Sequence, residues 1–134
     1  MAEAIFKKIS EERNINADIQ SAGISAFTGT PASSNAVEAL KEIGIDLTSF
    51  RSTALTALQP IIGEFDLFVP MTEYHALTLL SLGVEKKKIY LFKNAVYDPY
   101  GGSLDIYRKT RDRLIKELET LAEFVEEKIN DSHN

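Results

Sequence analysis

The chain contains no cysteine. That absence removes disulfides, thiolate metal sites, redox dithiols and any cysteine nucleophile drawn from these residues. Histidine is scarce. His75 and His133 are the two present, so one chain cannot build a three-histidine metal site. No metal and no other cofactor is expected. Long apolar runs are missing as well, and none approaches the ~20 residues that span a bilayer. The opening Met-Ala-Glu-Ala-Ile-Phe-Lys-Lys lacks the basic-then-apolar order of a secretory signal. Positive charge is in deficit: 15 Lys and Arg against 20 Asp and Glu leave a net charge of −5, with a pI near 5.1. This balance argues against nucleic acid or an anionic membrane as the main partner. The expectation is a soluble, cytoplasmic protein.

What is present fits one globular domain. The 134 residues are 44% hydrophobic and 26% charged, enough to bury one core. Residues 1–13 have helical composition, with Ile5, Phe6 and Ile9 on one face and Lys7, Lys8, Glu11 and Glu12 opposite. No capping residue precedes them. Residues 17–21 read as a short strand closed by Ala22-Gly23, and 24–35 as a Gly/Ser/Thr/Pro loop. Asn35 with Glu38 resembles a capping box for a helix reaching Ile43, stopped by Gly44. Residues 53–62 are weakly helical and broken at Pro60. A second strand is expected over 66–71, then a helix capped by Thr72, with Leu77, Leu79, Leu80 and Leu82 largely buried, ending at Gly83. A third strand is expected over 89–92. Ser103 caps a long amphipathic helix bearing Ile106, Thr110, Leu114, Leu118, Leu121, Val125 and Ile129 on one face, with the last few residues frayed. Helices alternating with short apolar strands predict an α/β parallel sheet with helices on both faces. Such a chain normally opens with a strand. This one opens with a helix.

The loop Tyr97-Asp98-Pro99-Tyr100-Gly101-Gly102 is the most unusual stretch. As composition alone it is a turn, since Asp, Pro and Gly are all turn formers. The sharper reading makes Asp98 a general acid. Pro99 biases Asp98 toward extended backbone, and Tyr97 and Tyr100 would shield its carboxyl from water and favour the protonated form. Ser21 can hydrogen-bond into a neighbouring loop or serve ordinary turn chemistry. Phe27, in a Gly/Pro-rich loop, is either an ordinary exposed aromatic or a cleft residue. His75, on the leucine-rich helix, reads as a structural histidine.

Taken in order, Met1-Ala-Glu-Ala-Ile-Phe-Lys-Lys, Ser21-Ala-Gly, Gly44-Ile-Asp-Leu, Arg51-Ser52, Asp66-Leu-Phe-Val-Pro-Met-Thr and Asp98-Pro-Tyr-Gly-Gly resemble the low-molecular-weight protein tyrosine phosphatases. The resemblance runs from residue 1 to about residue 125. It implies a flavodoxin-like three-layer sandwich with a parallel sheet in strand order 2-1-3-4. The implied reaction is hydrolysis of phosphate monoesters on phosphotyrosine proteins, or of phosphoarginine in some bacterial relatives, through a phosphocysteine intermediate. By the same resemblance Asp98 matches the general acid, Tyr100 the aromatic wall beside the phosphoaryl group, Phe27 the rim of the cleft, and Ser21 a serine bracing the phosphate loop.

The family's first strand and its Cys-x5-Arg loop should stand directly before Met1. That loop brings the thiolate, the amide cradle and the forked Arg. The sequence therefore reads as a phosphatase truncated at its N-terminus, a single domain over 1–134 that is inactive as given. The alternative is a non-catalytic module binding phosphoproteins or a partner chain. A thioredoxin-coupled arsenate reductase fits less well, because that chemistry needs further cysteines. Phe50 departs from the family's histidine and cannot hydrogen-bond the loop. The missing strand would be interior, lying between the strands at about 17–21 and 66–71. Two unpaired edges predict either closure on each other or a strand-sharing or swapped homodimer.

Overall fold

The computed structural model describes residues 1–133; the side chains of 132–134 and the backbone of Asn134 lie outside the description, and with them the expected fraying of the chain end. Five α-helices follow one another: α1 (Ala2–Glu12), α2 (Ser34–Lys41), α3 (Leu55–Leu58), α4 (Glu73–Ser81) and α5 (Leu104–His133). Short 3-10 turns cover Gln59–Glu64 and Lys86–Lys88.

The core lies where α1 and α2 pack on α5. α1 contributes Ile5, Phe6 and Ile9; α2 contributes Ala36, Ala39 and Leu40; α5 contributes Tyr107, Leu114, Leu118, Leu121 and Ala122. The i, i+4 spacing of Ile5 and Ile9 and of Leu114 and Leu118 keeps each set on one stripe, so the helices meet along apolar faces. Each fully buried aliphatic side chain contributes roughly 1.5–3 kcal/mol. The expected face of α5 holds from Leu114 onward. At its start Tyr107 is buried, and Ile106, one residue around the helix, is 48% exposed.

The caps explain several boundaries. Ser33, ahead of the expected Asn35, accepts the Ala36 N–H and starts α2 early. Thr72 accepts the His75 N–H as expected, and Ser103 accepts the Ile106 N–H at 3.4 Å. α2 ends at Lys41, two residues short of Ile43, and the chain turns through Gly44 at φ +79°. The break foreseen at Pro60 is a change of helix type, since Pro60 sits in the first positions of the 3-10 turn. On α4, Leu79 is buried, but Leu77 and Leu80 lie on the solvent side and are exposed, contrary to the expected burial.

The parallel sheet with three strands is the larger correction. Among the described residues there is no continuous strand; isolated bridges join Gly23 to Ala54 and Phe68 to Ile89 in parallel and Pro31 to Arg51 antiparallel. The Phe68–Ile89 contact has the slanted pattern of a parallel ladder: the Phe68 N–H donates to Lys88 O at 2.7 Å, and the Tyr90 N–H donates to Phe68 O at 2.8 Å. Within a strand, alternate residues aim their backbone groups at opposite edges. Leu67 and Val69 therefore face away from residues 88–90, and their amides have no partner among the described residues. Residues 17–21 form no bridge to 66–71 either, so the two edges do not close on each other as expected. A ladder needs pairing on successive residues, and each segment here is paired on one side at most. No helix among the described residues is long and apolar enough to cross a membrane.

Candidate active site

The first turn of α1 gathers the site. Met1 precedes the helix without a side-chain cap. Its first-turn amides have no intrahelical acceptor and carry the positive end of the helix dipole. Glu3 sits in this turn, and its Oε1 accepts both the amide and the hydroxyl of Ser21, at 2.8 and 2.9 Å. Its Oε2 accepts from Lys7 at 3.0 Å. Burial pushes the Glu3 carboxyl up, while the hydrogen bonds from Lys7 and Ser21 and the Lys7 charge hold it below its ordinary value.

The Asp98 charge is felt at the same turn. Burial lowers the pKa of the Met1 amino group, and the charges of Glu3 and Asp98 act against that effect. Asp98 is thus within electrostatic range of the start of α1. Its Oδ1 accepts the Tyr100 N–H at 3.0 Å, closing an Asx turn. The flanking rings do not shield it: Asp98 is exposed, and Tyr97 and Tyr100 are 71% and 82% exposed.

Anchors hold this loop at both ends. The Val96 N–H donates to Met71 O at 2.8 Å, and Val96 itself is buried. At the exit, Asn35 Nδ2 donates to Gly102 O at 3.1 Å, and Ser33 Oγ bonds the Tyr107 hydroxyl at 3.1 Å. Phe27 lies on a different loop and is 83% exposed. That loop is fixed to residues 51–54: Ser52 Oγ donates to Phe27 O, the Gly29 N–H to Ser52 O and the Ser52 N–H to Thr30 O, the last two at 2.8 Å. No hydrogen bond, ion pair or ring contact joins Phe27 to residues 97–102 among the described residues. Phe50 packs half-buried against the core.

Ser21 is bonded to α1 and Asp98 acts on its start through charge, while Phe27 and Tyr100 stand free as exposed aromatics. Glu3, Ser33, Asn35 and Gly102 are additional members that the sequence reading missed. Ser33, not the expected Asn35, caps α2, and the Asn35 side chain reaches Gly102 instead. Among the described residues no cluster of three His, Asp or Glu could hold a metal ion. Chemically the arrangement can present a carboxylic acid, Asp98, to a leaving group near a helix N-terminus. It contains no thiol.

The helical core and the loops around the start of α1 are what these residues bring together, and comparison with known proteins gives the family. The Low molecular weight phosphotyrosine protein phosphatase family matches residues 1–131, and the chain belongs to it. The chain is 38% identical over 130 residues to the protein-arginine-phosphatase of Bacillus subtilis strain 168, covering 91% of this chain and 85% of that protein. It is 29% identical over 121 residues to the low molecular weight protein-tyrosine-phosphatase PtpB of Staphylococcus haemolyticus, covering 86% and 82%. Among solved structures, a YwlE mutant from Bacillus subtilis superposes with a TM-score of 0.83 at 37% identity, covering 93% of this chain and 88% of that one. These neighbours carry the flavodoxin-like α/β fold; among the described residues of this chain strand pairing is limited to isolated bridges.

Proposed function

We propose that this chain is the acid-bearing part of a low-molecular-weight protein phosphatase, one domain whose first strand and Cys-x5-Arg loop are not among residues 1–134. The observation that carries the reading is the family match over residues 1–131, within which Asp98 stands in a turn closed by its Oδ1 on the Tyr100 N–H. In the intact site a thiolate attacks phosphorus, the phosphoryl group moves to sulfur, and Asp98 gives its proton to the departing oxygen or nitrogen. Asp98, now a carboxylate, then takes a proton from the water that hydrolyses the phosphocysteine. Tyr100 supplies the aromatic wall of the cleft and Phe27 its rim; both are exposed and free to cover a substrate side chain. Ser21, held by Glu3, braces the loop that carries the nucleophile. The substrates are cytoplasmic phosphoproteins, with phosphoarginine and phosphotyrosine as the two candidate groups.

Without a nucleophile these residues do not hydrolyse phosphate esters. The chain alone is expected to give no turnover of p-nitrophenyl phosphate. Joined to a strand and Cys-x5-Arg loop ahead of Met1, it should gain a turnover, and Asp98→Asn should reduce that of phenyl phosphate, whose leaving group needs a proton, by about 10²-fold or more. Activity in the unjoined chain, or a folded joined chain without activity, overturns the reading. The unpaired edges at 17–21 and 66–70 support the same proposal, since an interior strand would pair both. Where that strand is missing, a second copy fills the gap. Light scattering should then find a dimer for the chain alone and a monomer once the strand is joined.

A further inference from the structure

Asp98 can act as an acid only if its loop is held still, and the loop's own bonds do not do this. The Tyr100 N–H to Asp98 Oδ1 bond at 3.0 Å and the Gly102 N–H to Pro99 O bond at 2.8 Å close the turn on itself. Neither fixes the turn against the rest of the molecule. The entry is fixed by Val96 on Met71. The exit depends on Gly102, whose backbone is packed so closely that an added Cβ would lie 2.8 Å from Pro99 O and 3.0 Å from Ile106 Cγ2. The Gly102 carbonyl is turned toward α2, where Asn35 Nδ2 meets it at 3.1 Å. α2 is itself locked to α5 by Ser33 on Tyr107 and by Glu42 on Arg108 and Arg111. The side-chain amide of Asn35 is therefore the tie between the α2–α5 pair and the exit of the acid turn.

We infer that Asn35 is a positioning residue for the general acid: by donating to the Gly102 carbonyl it sets the register of the 98–102 turn and so the placement of the Asp98 carboxyl. The inference rests on the reading of Asp98 as the acid, and its test separates the two. Asn35→Asp keeps size and removes the donor; Asn35→Gln keeps an amide donor.

In the chain as it stands, hydrogen exchange followed by NMR should speed up at the Gly102 and Tyr100 amides by about tenfold in Asn35→Asp. The amides of Phe68 and Tyr90 should be unchanged, and Asn35→Gln should restore part of the protection. In the chain joined to a Cys-x5-Arg segment, Asn35→Asp should lower kcat/KM for phenyl phosphate by about tenfold and for p-nitrophenyl phosphate by less than about threefold. A nitrophenolate leaves with little help from an acid, whereas a phenolate needs the proton. A merely structural defect would lower both equally. Asp98→Asn serves as the reference and should give the same split, larger. If Asp98→Asn affects both esters alike, the acid assignment itself fails. If Asp98→Asn gives the split and Asn35→Asp does not, or if Gly102 exchange is unchanged by Asn35→Asp, the role of Asn35 is overturned.

Discussion

Glu3 and Ser21 are joined twice, the amide and the hydroxyl of Ser21 both donating to Oε1 of Glu3 at 2.8 and 2.9 Å. The pair staples residues 17–21, which have no sheet partner, to the first turn of α1. Bonds to a charged acceptor are stronger than neutral ones, so Glu3→Ala should lower stability by about 1–2 kcal/mol. Urea unfolding at neutral pH checks this. The Glu3 pKa is lowered in the folded state from an ordinary 4.5. Its contribution is therefore complete above pH 4.5 and fades as pH falls through the folded value, so wild type and Glu3→Ala should converge in acid.

Glu42 is a sharper case. Its carboxylate accepts Nε and Nη2 of Arg108, the latter at 2.7 Å, and Nη1 of Arg111 at 2.7 Å. Hydrogen bonds from Arg108 and then Arg111 lower its pKa from 4.5 to about 2. A depressed carboxylate stabilises the fold above its unfolded pKa and loses that effect on protonation. The wild-type advantage over Glu42→Gln should be constant above pH 5, shrink between about 4.5 and 2, and weaken at high salt. Melting temperatures across that range measure it. A constant difference down to pH 2 would remove the clamp from the account of α2–α5 packing.

The helices were largely legible in the sequence because their signals are local. The Ile5–Ile9 and Leu114–Leu118 spacings, the Thr72 and Ser103 caps and the Gly44 stop act within a turn or two. The strands were not, because a strand is completed by partners distant in sequence: 66–70 is apolar enough, yet it is paired on the side of residues 88–90 alone. The site divides the same way. Asp98 and Ser21 stood out as motifs, but the Asn35–Gly102 bond spans 67 positions, and the expected cap lay two residues past the one the helix uses. The shielding expected from Tyr97 and Tyr100 failed because adjacency in sequence does not say which way a turn aims its rings.

Gly102 should tolerate no side chain. An added Cβ would press on Pro99 O at 2.8 Å and on the Ile106 side chain at 3.0 and 3.2 Å, and the nearest obstacle is backbone that cannot swing aside. Overpacking of this kind costs about 1–3 kcal/mol. Gly102→Ala should therefore lower the unfolding midpoint. Gly101→Ala should cost less through contact, since nothing lies within 4 Å there, but its φ of +81° still strains an alanine. Comparing the two by thermal melting, with Gly63→Ala as an open-space control, separates steric from backbone strain.

The half-made sheet should be visible residue by residue. Phe68 donates to Lys88 O at 2.7 Å and Tyr90 to Phe68 O at 2.8 Å, whereas the amides of Ile19, Leu67 and Val69 have no acceptor among the described residues. Native-state hydrogen exchange should therefore alternate along one segment: Phe68 protected, Leu67 and Val69 exchanging at least about tenfold faster. Protection of all three amides in the isolated chain would mean that another strand already occupies the open edge. Light scattering on the same sample then decides whether that strand comes from a second copy. Joining an upstream strand should slow Leu67 and Val69 while leaving Phe68 nearly unchanged, because Phe68 faces residues 88–90 and already has its partner.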